Sequence, residues 1–184
     1  GTNTRDMEWI RMETKHVTGI PENMGGSGDP SPVTAYGTFL GIKASVKELY
    51  GSDDLSGRKV AVQGTGHVGE VLVKHLTEAG AKVTVTDIHA DRIQSMIKTY
   101  GVSGVSAEEI YDVDMDIYAP CALGATVNTE SINKMKCPII AGAANNQLAD
   151  ENGERWTSDE IQYYLVSTIR KIYEDLRPDT GTSK

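Results

Sequence analysis

Six residues constrain this chain more than any others: Gly64-Thr65-Gly66-His67-Val68-Gly69, a G-x-G-x-x-G string. Alone the string is a weak signal, because the chain holds 19 glycines. Its neighbours strengthen it. Val60-Ala61-Val62-Gln63 precedes it as a short apolar strand, and His67 to Ala79 follows with Val68, Val71, Leu72 and Leu76 at helical spacing. Asp87 stands 18 residues after Gly69, at the end of a second apolar run, Val83-Thr84-Val85-Thr86. Strand, glycine turn, helix, strand and acid, in that order, form the pattern of a dinucleotide site.

Each residue type has a physical reason. Gly64 permits a tight turn out of the strand, Gly66 lets a pyrophosphate approach the backbone, and Gly69 lets the helix pack closely. The helix start then offers free N–H groups and a partial positive charge to phosphate. Asp87 can accept hydrogen bonds from ribose hydroxyls and repels a 2′-phosphate. No arginine follows it before Arg92. The expected cofactor is therefore NAD rather than NADP.

Around this motif the chain alternates strand and helix from Lys59 to about Asn146. Further helices are expected over Asp91–Tyr100 and Thr129–Met135. Further strands are expected near Val102–Val105, Met115–Ala119 and Pro138–Ala141. Such alternation predicts a Rossmann-type α/β fold, a doubly wound and mostly parallel sheet with helices on both faces. Upstream, Arg5 to Val17 reads as a modest amphipathic helix, and Gly19 to Pro30 as loop. Ser31 is the expected N-cap of a long helix to Tyr50, whose apolar face carries Val33, Tyr36, Leu40 and Ala44, with Val46 a further candidate. Downstream, Ser158 to Leu176 has the spacing of an amphipathic helix. The chain thus divides into 1–31, a helix and Gly/Pro-rich loop, 32–176, the cofactor domain, and 177–184, an expected disordered tail.

Composition excludes several classes. A net charge of −8 repels nucleic-acid backbones. No run approaches the roughly 20 apolar residues of a membrane helix. Two cysteines without metal-type spacing fit a reducing, cytoplasmic setting. The start, without Met, hints at a fragment. Cys121 lacks an evident activating base and reads as packing. Asp112, Asp114 and Asp116 read as a solvated edge, and His16, His75 and His89 as surface or helix residues. Asn145, after the strand near Ile140, suits either a contact with the nicotinamide end or a turn.

Five ordered strings now resemble one family. These are Gly19-Ile20-Pro21 with Gly25-Gly26-Ser27-Gly28-Asp29-Pro30-Ser31-Pro32-Val33-Thr34-Ala35-Tyr36-Gly37, Val62 to Gly69, Thr86-Asp87-Ile88, Ala119-Pro120-Cys121-Ala122-Leu123-Gly124, and Ala141 to Leu148. Together they look like the cofactor half of leucine dehydrogenases, with phenylalanine and valine dehydrogenases close behind. The resemblance implies reversible NAD-dependent oxidative deamination of a branched-chain L-amino acid. It implies that Thr34 meets the nicotinamide carboxamide and that Gly64, Thr65, Gly66, His67, Val68 and Gly69 hold the pyrophosphate. Asp87 and Ile88 would frame the adenosine, and Cys121, Ala122 and Asn145 would line the remaining track.

Two departures qualify it. The family's catalytic Lys and its partner Asp have no counterpart from Gly1 onward, so no catalytic residue is assigned. After Asn152 the chain passes almost directly to the final helix, where the family has a further strand. The expectation is an NAD-binding domain, inactive alone, that works with the parent enzyme's catalytic domain. An engineered or natural non-catalytic NAD module is the alternative. The resemblance also leaves a homo-oligomer open.

Overall fold

The computed structural model describes residues 2–149. Among them, five strands form one parallel sheet: β1 (Lys59–Gln63), β2 (Lys82–Thr86), β3 (Ser103–Gly104), β4 (Ile117–Pro120) and β5 (Ile139–Ile140). Their order is β3-β2-β1-β4-β5. The chain runs outward from β1 to β3, then returns to the other side of β1 for β4. That reversal opens a crevice at the carboxyl ends of β1 and β4, where open parallel sheets place ligands.

The two-residue alternation of the strands builds a core on each face. Val60, Val62, Val83, Val85, Ile117 and Ile139 point to one side. They meet α2 (Ser31–Tyr50), α3 (His67–Glu78) and α4 (Ala90–Tyr100) through Ile42, Val46, Leu72, Leu76 and Met96. Ala61, Tyr118 and Ile140 point to the other side, against Ile110, Met115, Val127 and Ile132 of α5 (Thr129–Lys134). The fold is therefore the doubly wound Rossmann-type sheet expected from the alternation.

Two upstream expectations need correction. Ser31 is not the N-cap of α2 but its first residue. Pro30 occupies the cap with nearly helical angles, and Asp29 Oδ1 accepts the Ser31 N–H at 2.9 Å. A carboxylate two residues ahead is the better acceptor, so the helix starts earlier. The buried face of α2 is also rotated: Val46 is buried as expected, but with Ala35, Ile42 and Ser45, while Val33 is 76% and Tyr36 51% exposed. This helix is apolar nearly all round, so periodicity alone leaves its face undetermined. Packing on α3 selects it.

The first helix, α1, spans Thr4–Glu13 and buries none of its residues. Its start carries a capping box between Asn3 and Asp6 that the Asn-x-x-Asp spacing would have revealed. The expected helix over Ser158–Leu176 and the tail 177–184 lie outside the described residues.

Candidate cofactor site

The three motif glycines have different jobs. Gly64 leaves β1 with φ +99°, and a Cβ there would lie 2.7 Å from the Ala122 amide nitrogen. A Cβ on Gly69 would stand 1.9 Å from the Gly64 carbonyl oxygen. These two glycines are required by the protein itself. Gly66 is different. A Cβ there would meet nothing nearer than Arg92 Nη1, at 4.0 Å. The space beside it is open, at the start of α3, whose N-cap is Gly66 and carries no side-chain cap. Free helical N–H groups beside an open backbone are the donor set that a diphosphate requires.

Asp87 follows β2 and reaches across to this turn. Its Oδ2 accepts the Thr65 N–H at 2.7 Å and the Thr65 hydroxyl at 3.0 Å. Its Oδ1 accepts the His89 N–H at 3.0 Å. Burial works against its charge most strongly. The Thr65 amide, the His89 amide, the Thr65 hydroxyl and Arg92 together overcome that and hold the carboxyl below its ordinary value. The acid is thus ionised and locked to the loop, while its oxygens keep lone pairs for further donors. The Thr65–Asp87 link could not be read from the motif, because Thr65 occupies one of its variable positions.

The end of β4 completes the floor. The Cys121 N–H donates to Gln63 O at 2.7 Å, which seats Cys121 and Ala122 beside Gly64. Burial pushes the Cys121 thiol up to about 11, with the Ala143 amide pulling only partly back. It is a neutral packing group at neutral pH, as its context suggested. Gln63 is fixed from behind, its Oε1 accepting from both Tyr111 and Tyr118 hydroxyls.

The structure therefore gathers residues 64–69, Asp87, Cys121 and Ala122 at one crevice. Ile88 follows Asp87 and is 85% exposed. Asn145 lies in an exposed turn after β5, in a loop tied to β4 by the Ala144 N–H to Pro120 O bond of 3.0 Å. Thr34 stands apart, one turn into α2, its hydroxyl donating to Pro30 O at 3.0 Å. Just before it, Asp29, Ser31 and His67 line a cleft of about 560 Å³ under the N-terminal arm. Among the described residues, no lysine lines that cleft.

One further expectation shifts. His75 lies on a helix, α3, as expected, and is half-buried there, its ring 5.6 Å from Tyr36 and 5.4 Å from Phe39, because α2 crosses α3. Asp116 is more than a solvated edge: its Oδ2 accepts the Lys59 N–H at 2.9 Å, and Asp114 pairs with the Lys59 ammonium. The described residues hold no cluster able to bind a metal, and none of their helices is long and apolar enough to cross a membrane.

Comparison with known proteins shows what the chain is similar to. Residues 25–91 match the family model for glutamate/leucine/phenylalanine/valine dehydrogenase. Residues 59–150 match the NAD binding domain of 6-phosphogluconate dehydrogenase. Leucine dehydrogenases from Bacillus cereus and Thermoactinomyces intermedius are 53% and 51% identical over 82% of this chain and 41% of their own length. The chain thus spans about two-fifths of the curated relatives it matches. The crystal structure of L-tryptophan dehydrogenase from Nostoc punctiforme superposes with a TM-score of 0.65 at 46% identity, over 67% of this chain and 37% of that one. The chain belongs to the glutamate/leucine/phenylalanine/valine dehydrogenase family, of which it carries the nicotinamide-nucleotide-binding domain.

Proposed function

We propose that this domain binds NAD or NADH and serves a leucine dehydrogenase-like enzyme in the oxidative deamination of a branched-chain amino acid. One observation carries the choice of NAD: Asp87 is ionised, fixed by Thr65 and His89, and set beside the open Gly66 turn. A carboxylate there accepts from ribose hydroxyls and disfavours a 2′-phosphate. The α3 start would hold the diphosphate, Ile88 would cover the adenosine, and Cys121 and Ala122 would floor the path between. Thr34 and Asn145 are proposed for the nicotinamide end. Bound NAD supplies the hydride acceptor, while this chain positions it and screens one side from water.

Titration of NADH fluorescence tests the reading. The wild-type chain is expected to bind NADH. Gly66→Val should weaken binding by about tenfold or more while changing stability by only about 0.5 kcal/mol. Gly69→Ala should instead cost about 1–3 kcal/mol of stability through its clash with Gly64 O. Unchanged NADH affinity in a folded Gly66→Val variant defeats the proposal.

A further inference from the structure

Arg92 is five residues beyond Asp87 in sequence, too distant to count as a cofactor residue on spacing alone. The fold brings it back. α4 starts at Ala90, so Arg92 lies in its first turn, with Nη1 3.9 Å from Asp87 Oδ2. The same nitrogen is the nearest atom to the open side of Gly66. The Asp87 side chain is 5% exposed and that of Arg92 49%. The acid is anchored within the loop, whereas the guanidinium stands at its rim and retains solvent-facing donors.

On the cofactor reading above, this rim is where the adenosine ribose arrives. The two charges then have opposite preferences. Asp87 favours free hydroxyls. A guanidinium presents planar paired donors that match phosphate oxygens. We infer that Arg92 is a second specificity-determining residue: it offsets part of the rejection of a 2′-phosphate by Asp87, and becomes a ligand for that phosphate once the charge at position 87 is removed. The inference rests on the cofactor reading and goes beyond it, because it assigns a role to a cation on a different element. It also revises the basis for expecting NAD: selection comes from the acid outweighing a nearby cation, not from the cation's absence.

The test titrates NADH and NADPH into wild type, Arg92→Gln, Asp87→Asn and the double variant, with 2′,5′-ADP and ADP as competitors. Asn at position 87 keeps an acceptor for Thr65 while removing the charge. Asp87→Asn should gain about tenfold or more in NADPH affinity, and Arg92→Gln added to it should remove most of that gain. NADH affinity should move less than about threefold between those two variants, and Arg92→Lys should restore part of the NADPH gain. In the Asp87-containing pair, Arg92→Gln should weaken 2′,5′-ADP competition and leave ADP competition unchanged, so the comparison survives misfolding of Asp87→Asn. Equal effects on NADH and NADPH, as from a diphosphate contact, overturn the inference, and so does no effect on either. Failure of wild type to bind NADH at all sinks the cofactor reading itself, and this inference with it.

Discussion

Asp87 shows how one side chain joins local structure to charge. Its carboxylate ties the loop after β2 to the turn after β1, and those same bonds keep it charged. Its folded value lies below the ordinary 3.8. A group depressed in this way contributes stability that is full above the unfolded value and is lost as pH falls through the folded one. The native chain is therefore expected to lose stability on acidification below about pH 4, with NADH affinity falling in the same window. Asp87→Asn should flatten that acid limb, as measured by urea unfolding at a series of pH values. An acid limb as steep as wild type would show that this carboxylate is not its source. Thr65, a variable position in the motif, becomes the acid's main partner only because β1 and β2 are neighbours in exact register, Gln63 opposite Thr86.

At the scale of elements, α2 and α3 decide whether the turn is held rigidly. α3 presents Leu72, Val73 and Leu76 to the sheet, and α2 lies against α3 through Phe39, Ile42 and Val46. Ile42 is fully buried and Val33 is 76% exposed, although the two belong to the same apolar stretch. Ile42→Ala should cost about 2–5 kcal/mol. Val33→Ala should change stability by less than about 0.5 kcal/mol. Chemical denaturation of both variants checks this, and equal losses would mean that α2 sits on its other face. Such rotation would also move Thr34 and the cleft residue Ser31, which ride on the same helix.

For the whole molecule, the sheet order creates the crevice. Strands β1, β2 and β4 bring their carboxyl ends together, so residues from three separate segments face one crevice. In the proposed reaction, hydride transfer also needs the amino acid's α-carbon fixed against the nicotinamide and a base to take its proton. The described residues supply no lysine to the neighbouring cleft. The purified 184-residue chain is expected to bind NADH yet show no leucine-dependent NAD reduction above background in an absorbance assay. Measurable turnover would mean that a catalytic base lies within it.

The sequence by itself determined the sheet class, the order of strands and helices, and the turn at Gly64 to Gly69. Those features are written in local periodicity and in residues whose backbone needs are nearly unique. It also pointed to Asp87, because strand length sets how far an acid can stand from a glycine turn. Only the tertiary structure decided which side of α2 is buried, that Thr65 holds Asp87, that Asp116 staples the start of β1, and that Arg92 reaches the rim. Each of these depends on which elements become neighbours in space. An all-round apolar helix, a variable loop residue and a surface-type arginine carry no periodic signal of their partners, so packing had to supply the choice.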